Sequence, residues 1–411
     1  MGIMTNNFDI IVIGGGLVGV ASAYKIQKQF PKKTILILEK EKALAVHQSG
    51  RNSGVLHSGL YYKPGSYRAK NCVTGRKELV KFAKKYNITH DVCGKLVVAT
   101  NHHEEKFLPE LFQRGLDNGL EDLRIIKQDE INEIEPFVVG LSAIWVPQTG
   151  IINYVEVAYK LVDLIKKINP RSEIIFNQKV ESFTKELNNS IVITKKDTFK
   201  CNHIISCAGL FSDRLAKLDN VNLNLKIVGF RGDYYTLTPQ AQHKVNNLIY
   251  PVPNPEFPFL GVHFTRMTSG EIECGPNAVF TFKREGYDKM SFNLKDTLDS
   301  LSYIGTWRLF KNHWRFGLNE IIKSSSKTIF LNHLRKLIPT LKLSDIEPGR
   351  SGVRAMALGV DGDVIDDFKI VTNKNNIHVL NAPSPAATAC LSIGSKVAQE
   401  FKNLIHQDFP V

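Results

Sequence analysis

A chain of 411 residues is long enough to bury two or more hydrophobic cores, so a single domain is not expected. Its 43% hydrophobic and 23% charged residues are ordinary for a soluble globular protein, and no apolar run reaches the roughly 20 residues that span a bilayer. The net charge of +13 fits an acidic ligand, nucleic acid, an anionic membrane surface, or merely a lysine-rich solvated face.

Cysteine usage and the first residues bear on location. Six cysteines are present without a C-x-x-C pair, which argues against a zinc knuckle or a disulfide framework and favours a reducing compartment. The opening stretch, MGIMTNNFD, lacks the basic and apolar regions of a signal peptide. We therefore expect a cytoplasmic protein, either soluble or peripheral on the inner face of the membrane.

The first predicted element is a strand over residues 8–13 (FDIIVI), a short apolar run typical of a strand buried on both faces. It leads into GGGLVG and a helix predicted to end near residue 29. Gly14, Gly16 and Gly19 have the G-x-G-x-x-G spacing, which permits a tight turn, backbone approach to a pyrophosphate, and close packing of helix on strand. The helix N-terminus then offers N–H groups and its dipole to phosphates.

A second predicted strand, TILILE, ends in Glu39, which follows Gly19 by 20 positions. A carboxylate at this spacing is suited to the hydroxyls of an unphosphorylated adenosine ribose. With a strand before the glycines and a helix after them, this arrangement predicts a site for FAD or NAD rather than NADP.

Two later segments favour FAD over NAD. Residues 203–209 (HIISCAG) predict a strand that breaks at Ala208 and Gly209, where small residues permit close approach to a ligand. Residues 377–389 (IHVLNAPSPAATA) predict a strand and a Pro- and Ala-rich turn, followed by a helix whose N-terminus suits a carbonyl-rich ring or an anion. Contacts from both chain ends and the middle suit an extended FAD better than an NAD held by one contiguous module.

Several stretches carry a resemblance that covers essentially the whole chain, chiefly HQSGRNSGVLHSGLYYKP and NAPSPAATA, with FRGDYY, GVHFTRM and SGVRAMAL. They resemble the D-amino-acid-oxidase-like family of FAD oxidoreductases, and within it the L-2-hydroxyglutarate dehydrogenase/oxidase branch. The resemblance implies oxidation of L-2-hydroxyglutarate to 2-oxoglutarate by hydride transfer from C2 to flavin N5. It also implies that the electrons pass to quinone or to oxygen.

The segment after Glu39 is similar to a stretch that lies along the FAD of the family. Its glycines let backbone approach the cofactor, and Ser49, Asn52 and Ser53 are expected to bond phosphate and ring oxygens. The full set expected to bind FAD is Gly14, Gly15, Gly16, Leu17, Val18, Gly19, Glu39, Lys40, Gln48, Ser49, Asn52, Ser53, Gly54, Val180, Cys207, Ala208, Gly209, Gly352, Arg354, Pro385, Ala386, Ala387 and Thr388.

Oxidation of a 2-hydroxy acid removes a hydride from C2 while a base takes the hydroxyl proton. Histidine suits this role, since its ordinary pKa of about 6.5 lies near working pH. The resemblance offers His57 in VLHSG, which is preferred, and His263 in GVHFTRM. For His47 and His57, the alternative is a structural histidine bonded to nearby backbone.

A five-carbon dicarboxylate needs two cationic or donor-rich anchors, and arginine binds a carboxylate through two parallel hydrogen bonds. The resemblance implies catalytic roles for Arg231 in FRGDYY and Arg354 in SGVRA, and a substrate-binding role for Arg266 in FTRM. The alternative for each arginine is an ordinary surface ion pair.

Tyr61, Tyr235 and Tyr250 are expected to donate hydrogen bonds to the substrate, and a core position is the alternative for each. No metal site is expected, because the other histidines lack ligands at helical or strand spacing. A serine nucleophile elbow and a Walker sequence are also missing from the sequence.

The predicted class is α/β (α+β overall), with a Rossmann-like FAD-binding domain and a substrate domain built on a mainly antiparallel sheet. The FAD-binding domain is expected to be discontinuous and to comprise residues 1–85, 150–218 and 348–411. The substrate-binding domain comprises residues 86–149 and 219–347. Strand-like runs at 226–237 and 271–282, with Pro-rich turns in PVPNPEFP, predict the antiparallel sheet that covers the flavin.

Residues 306–345 hold eight Lys or Arg against two acidic residues. Within them, aromatic and aliphatic residues recur at helical spacing: Trp307, Phe310, Trp314, Leu318 and Ile321. Such a stripe either packs into the core or lies on an anionic membrane as part of a basic helix. A quinone acceptor would suit the membrane interpretation.

Rival functions remain open at this point. Another enzyme of the fold could oxidise glycerol 3-phosphate or an amino acid, since a phosphate substrate also attracts arginines. A flavoprotein that binds and modifies RNA is a rival of another class, permitted by the charge of +13. Its basic residues should interleave with aromatics along one groove. Here the positive charge is spread over the chain, so no nucleic acid partner is expected.

Overall fold

The structure, a computed structural model, describes residues 6–186, 189–253 and 261–407. The predicted Pro-rich turn in PVPNPEFP lies outside these residues from position 254 onward. Within the described ranges the chain forms three β-sheets, eleven α-helices and three short 3-10 turns. This combination of a mixed sheet with a parallel centre, a largely antiparallel sheet and helices confirms the predicted fold class.

Twenty strands build the sheets of the described chain: β1 (Asn6–Ile13), β2 (Ile35–Leu38), β3 (Val55–Leu56), β4 (His90–Asp91), β5 (Lys95–Ala99), β6 (Arg124–Lys127), β7 (Ser142–Val146), β8 (Gly150–Ile152), β9 (Glu173–Ile175), β10 (Val180–Glu186), β11 (Asn189–Thr194), β12 (Thr198–Ser206), β13 (Leu225–Leu237), β14 (Leu248–Pro251), β15 (His263–Arg266), β16 (Ile272–Gly275), β17 (Val279–Phe280), β18 (Ile346–Gly359), β19 (Lys369–Asn373) and β20 (Asn376–Asn381). The helices are α1 (Leu17–Gln29), α2 (Tyr67–Tyr86), α3 (His102–Glu105), α4 (Leu108–Asp117), α5 (Gln128–Ile134), α6 (Tyr154–Ile168), α7 (Ser212–Leu218), α8 (Leu294–Leu301), α9 (Ile304–Ser325), α10 (Lys327–Leu334) and α11 (Cys390–Gln407).

The first sheet has the order β10-β11-β12-β1-β2-β9, and β20 joins it beside β12 with β19 at its edge. β1 lies near its centre and pairs in parallel with both β2 and β12. Ile10 and Val12 of β1 pack into a core with α1, α6 and α11, whereas Ile11 and Ile13 pack on the opposite face with α7. This burial on both faces explains the continuous apolar run in the sequence.

The second sheet has the order β17-β13-β16-β15-β14-β5-β7-β6, and β18 pairs along nearly the whole of β13. Its strands are antiparallel except for the pair of β5 with β14. One face packs on α10, through a core that includes Leu96, Phe264 and Phe330. A small third sheet has the strand order β3-β8-β4.

The strands of the first sheet all fall within the three segments predicted for the FAD-binding domain. The second sheet takes its strands from the two segments predicted for the substrate domain, with one exception. β18 begins at Ile346 and pairs with β13, although most of it was assigned to the last FAD-binding segment. The domain limits themselves stay a prediction.

The aromatic stripe of residues 306–345 lies mostly on the outside of α9. Trp307, Trp314, Leu318 and Ile321 are each 49–56% exposed, so the core interpretation is wrong for these four residues. The helix is interrupted at His313, whose backbone departs from helical geometry. Within the described residues, no helix combines the length and hydropathy needed to cross a membrane.

Two helical glycines form a matched pair for testing how tightly α1 packs. A Cβ at Gly19 would lie 2.0 Å from the carbonyl oxygen of Gly14, whereas a Cβ at Gly317 in α9 would meet nothing within 4 Å. We expect Gly19→Ala to lower the free energy of unfolding by about 1–3 kcal/mol, because backbone must shift to relieve the overlap. Gly317→Ala should be neutral or stabilising by up to about 1 kcal/mol. Chemical unfolding measures both, and equal stability would contradict the tight packing.

Candidate active site

One cavity of about 1860 Å³ is lined by residues of both large sheets. Its wall includes the turn between β1 and α1, much of segment 45–57, and the turn that precedes α11. The second sheet contributes residues of β13, β14, β15 and β18. The cavity therefore connects the predicted dinucleotide turn with the predicted substrate-binding residues.

Glu39 is the central residue at the nucleotide end of the cavity. Its carboxylate accepts hydrogen bonds from the N–H groups of Gly15, at 2.7 Å, and Glu41, at 2.9 Å. Each carboxylate oxygen keeps a further lone pair, so Glu39 can still accept bonds from ribose hydroxyls. Ser49 Oγ accepts a bond from the Leu17 N–H at 3.0 Å, because the N-cap residue Gly16 has no side chain to do so.

Most of the residues predicted to bind FAD line the same cavity. Many of them have small side chains, so backbone groups can approach an extended dinucleotide there. Those that line the cavity are Gly14, Gly16, Leu17, Val18, Gly19, Glu39, Lys40, Gln48, Ser49, Asn52, Ser53, Val180, Cys207, Ala208, Gly209, Gly352, Arg354, Pro385, Ala386 and Ala387. Gly15, Gly54 and Thr388 are outside this lining. Thr388 instead accepts a hydrogen bond from the His57 N–H at 3.1 Å, so it supports a cavity residue from behind.

The turn after Ser49 is held by its own side chains. Asn52 donates to the carbonyl oxygens of Gln48 and Ser49, at 2.9 and 2.8 Å, and accepts from the N–H of Gly54 at 2.8 Å. The Gln48 side chain accepts from the Ala355 N–H at 3.0 Å and so ties the turn to β18. Asn52 and Gln48 thus organise the cavity wall, whereas the predicted bonds to phosphate and ring oxygens stay predictions.

Two histidines line the far end of the cavity, and they are held differently. His263 has its Nδ1 2.8 Å from the Gly261 carbonyl oxygen, and its ring stacks on that of Tyr250 at 3.9 Å between centroids. A carbonyl only accepts hydrogen bonds, so Nδ1 carries the hydrogen and Nε2 carries the lone pair. The His57 ring has no hydrogen-bond partner among the described residues.

Both histidines are neutral at neutral pH. Burial lowers the pKa of His57 to about 3, with further lowering by the positive charge of Lys95 and Arg68. Burial also lowers the pKa of His263 to about 4, although the Gly261 carbonyl opposes the shift. A neutral imidazole can accept a proton, so either ring is in the correct state for a base.

β13 places Tyr234 at the cavity, whereas the predicted residue was Tyr235. Gly232 and Tyr234 line the cavity, and alternate residues of a strand point to opposite faces. Arg231 donates to Asp233 at 2.7 Å, and Tyr235 packs on Phe330 with the ring centroids 4.6 Å apart. The catalytic role predicted for Arg231 and the substrate-binding role predicted for Tyr235 find no support in this placement. The alternation within FRGDYY places Tyr234 and Tyr235 on opposite faces of β13, but it does not indicate which face meets the cavity.

Arg266 is also directed away from the cavity. It forms an ion pair with Asp91 and is not part of the lining. By contrast, three of the predicted residues do line the cavity: Tyr61, Tyr250 and Arg354. Arg354 also donates to the Asn277 carbonyl oxygen at 3.2 Å. Of the three predicted arginines, Arg354 lines the cavity and Arg231 and Arg266 do not.

Lys95 is a functional candidate that sequence reasoning missed. It is 2% exposed at the start of β5, and its Nζ lies 3.3 Å from the Tyr61 hydroxyl. The ammonium also lies over the rings of Tyr61 and Tyr250, at 4.3 and 5.0 Å from their centroids. Burial lowers the pKa of Lys95 to about 7. A lysine heading the apolar run KLVVA was the signal available in the sequence.

An ion network joins the two sheets beside the nucleotide end. His47 Nε2 lies 2.9 Å from Glu41 Oε1 and 3.1 Å from Glu285 Oε1, and Lys40 Nζ contacts both carboxylates. His47 Nδ1 also contacts the Tyr287 hydroxyl. The two carboxylates and His47 lie close enough together to hold a metal ion. In this structure the Lys40 ammonium provides the positive charge beside them.

Comparisons with known proteins identify the family of the chain. Residues 9–400 match the family of FAD dependent oxidoreductases. The chain is 46% identical over 394 residues to L-2-hydroxyglutarate dehydrogenase of Indibacter alkaliphilus, covering 96% of this chain and 98% of that protein. It is 41% identical to L-2-hydroxyglutarate dehydrogenase of Escherichia coli K12, covering 97% and 94%. The mitochondrial L-2-hydroxyglutarate dehydrogenase of Bos taurus is 43% identical, covering 96% and 89%.

Solved structures show the same fold. L-alpha-glycerophosphate oxidase from Mycoplasma pneumoniae, solved with FAD bound, has a TM-score of 0.78 at 21% identity, covering 97% of this chain and 95% of that chain. Glycine oxidase from Geobacillus kaustophilus has a TM-score of 0.74 at 14% identity, with the same coverage. The predicted family and cofactor are confirmed. The chain belongs to the family of FAD dependent oxidoreductases, with relatives at 41–46% identity that are L-2-hydroxyglutarate dehydrogenases.

Proposed function

We propose that the protein oxidises L-2-hydroxyglutarate to 2-oxoglutarate with FAD as its cofactor. The observation that carries this proposal is the nearly full-length identity of 46% to an L-2-hydroxyglutarate dehydrogenase. The cavity supports it, since it continues from the nucleotide end at Glu39 to an end lined by histidine, tyrosine and arginine. FAD bound in this cavity supplies the acceptor for the hydride that leaves C2 of a 2-hydroxy acid.

His263 is the base that the geometry favours, although His57 was preferred from the sequence. The bond from Nδ1 to Gly261 leaves Nε2 as the proton acceptor, and stacking on Tyr250 fixes the plane of the ring. A base held in one tautomer and one orientation loses less freedom when the substrate binds. His57, which has no such bond, is assigned a positioning role on the cavity wall.

Arg354 and the tyrosines Tyr61, Tyr234 and Tyr250 are proposed to bind the two carboxylates of the substrate. All four line the same end of the cavity as His263. Burial raises the pKa of Tyr234 to about 12 and raises those of Tyr61 and Tyr250 as well. The three hydroxyls therefore keep their hydrogens and can donate them to carboxylate oxygens.

Rival substrates have weaker support. The glycerophosphate and glycine oxidases that share the fold are at most 21% identical, so their likeness concerns the fold alone. The relatives above 40% identity are dehydrogenases named for L-2-hydroxyglutarate. For the electron acceptor, quinone and oxygen are the two candidates.

We further propose that the protein is cytoplasmic and rests on an anionic lipid surface, where a quinone would be accessible. The proposed membrane face comprises the exposed apolar side chains Met290, Phe292, Leu298, Trp307 and Trp314. Met290 is 91% exposed, which is unusual for a large apolar side chain. Lys289, Lys295, Arg308, Lys311 and Arg315 lie in the same segments and would attract anionic headgroups.

Anaerobic addition of L-2-hydroxyglutarate to the holoenzyme should bleach the visible flavin band. The D enantiomer, lactate and glycerol 3-phosphate should leave most of the band in place at equal concentration. Readmission of air then measures how fast oxygen restores the band. Bleaching by glycerol 3-phosphate or an amino acid, with no response to L-2-hydroxyglutarate, would contradict the proposed substrate.

Replacement of each histidine tests which one is the base. We expect His263→Gln to lower kcat by about 10²–10⁴-fold, because glutamine cannot accept the proton. His57→Gln should lower kcat less and should act mainly through KM. Rapid-mixing measurement of flavin reduction gives both constants. A larger loss of kcat in His57→Gln than in His263→Gln would reverse the assignment.

Binding to lipid vesicles tests the membrane face. The triple variant Met290→Ser, Phe292→Ser, Trp307→Ser should reduce binding to phosphatidylglycerol vesicles more than about tenfold, because each side chain loses burial in lipid. Flavin reduction should be unchanged. Val139→Ser removes an apolar side chain that is also about half exposed but lies elsewhere, and it serves as the control. Equal sedimentation of wild type and triple variant would exclude this face.

A further inference from the structure

Lys95 is a buried cation that no carboxylate accompanies within the described part of the chain. Its Nζ has one hydrogen-bond partner there, the Tyr61 hydroxyl at 3.3 Å, and the remaining contacts are ring faces. Burying an unpaired charge is costly, so such groups are normally paired or neutral. Two other buried cations do have carboxylate partners: Arg284 pairs with Asp213, and Lys226 pairs with Asp299.

The groups that face Lys95 supply no negative charge. From the segment before α2 come His57 and Tyr61, from α2 comes Cys72, and from β14 and β15 come Tyr250 and His263. Burial raises the pKa of Cys72 to about 12, so its thiol stays neutral. Arg68, beyond His57, is a further cation, and it has its own carboxylate partner in Asp366. Lys95 is therefore left without a counter-ion among the groups that face it.

The contact with Tyr61 has a fixed direction when Lys95 is charged. An ammonium group has three donors and no acceptor, so the Tyr61 oxygen must be the acceptor. The Tyr61 hydrogen is then left for another partner, and none is found among the described residues. Tyr61 lines the cavity. A charged Lys95 thus leaves the Tyr61 hydroxyl available to donate to a ligand in the cavity.

We propose that Lys95 is a positioning residue that takes up a proton when a dicarboxylate enters the cavity, and so orients Tyr61 to donate to a carboxylate. The inference deepens the proposed function and rests on it for the identity of the substrate. The bound dianion provides the counter-charge that Lys95 lacks among the described residues. Lys95 acts through Tyr61 and Tyr250 rather than by touching the substrate, since it lies behind their rings.

The direction of the pH dependence follows from the state of Lys95. With a pKa of about 7 in the free protein, Lys95 is charged below neutral pH and neutral above it. Dicarboxylate binding should therefore weaken as pH rises through 7, by about tenfold between pH 6 and pH 8 if only the charged form binds. His57 and His263, with pKa values of about 3 and 4, do not titrate in this interval.

The experiment uses glutarate, a dicarboxylate that lacks the reactive hydroxyl, and the FAD-loaded protein. Calorimetric titration in two buffers of different ionisation enthalpy measures Kd and proton uptake together. We expect uptake of about one proton per glutarate at pH 8 and almost none at pH 5.5. Butyrate, with one carboxylate, should bind more weakly at both pH values.

Two substitutions at Lys95 identify the titrating group. Lys95→Met should bind glutarate as weakly at pH 6 as wild type does at pH 8, without proton uptake. Lys95→Arg should bind tightly at both pH values, because a guanidinium stays charged. Lys402→Met removes an exposed lysine on α11 and should behave as wild type. For the reaction itself, Lys95→Met should raise KM about tenfold at pH 6 and change kcat less.

Each outcome supports the inference or overturns it. A wild-type Kd that is constant between pH 6 and pH 8, or a Lys95→Met variant that keeps the wild-type slope, would overturn it. If Lys95→Met does not fold, proton uptake by wild type and its loss in Lys95→Arg still decide. Failure of the proposed function is separate: glutarate would bind with proton uptake, yet L-2-hydroxyglutarate would not bleach the flavin.

Discussion

The hydrogen bonds from Gly15 and Glu41 to the carboxylate of Glu39 fix the part of the fold on which the cavity depends. Gly15 follows β1 and Glu39 follows β2, so the bond from Gly15 holds together the carboxyl ends of two parallel strands, and the bond from Glu41 orients the carboxylate. Ligands of open parallel sheets bind at such ends. Segment 45–57 also starts at this end of the sheet, because the Ala45 N–H donates to the Gly15 carbonyl oxygen at 3.2 Å. The segment that carries His57 therefore begins at the nucleotide end of the cavity.

Exclusion of water sets the charge states at the opposite end. Burial disfavours the charged form of every base it covers, so it lowers the pKa values of His57, His263 and Lys95 together. The ordinary values of histidine and lysine differ by about four units, and the shifted values keep that order. A single dry pocket thus holds neutral imidazoles that can accept a proton and a lysine that an arriving anion can charge.

The nucleotide half of the site could be predicted from the sequence, because its signals are local. Glycine spacing, a buried strand and an acid at the end of the next strand all lie within residues 8–39 and concern backbone geometry. The substrate half required knowing which face of a strand meets the cavity. β13 is largely buried on both faces, so its composition could not distinguish Tyr234 from Tyr235. The role of Lys95 was not predicted, because its contacts, Tyr61 and Tyr250, come from distant segments of the sequence.

The choice of substrate resides in a small part of this structure. Proteins named as glycerophosphate and glycine oxidases share its fold at 21% identity or less, so the fold alone does not select a substrate. Five of the side chains proposed to do so come from different strands of the second sheet: Lys95, Tyr234, Tyr250, His263 and Arg354. Each of these five is carried on a strand paired with its neighbours, which holds the group in place. The sixth, Tyr61, lies between β3 and α2. A change of substrate would then need only changes of side chain on these strands and at Tyr61, while the flavin end stays as it is.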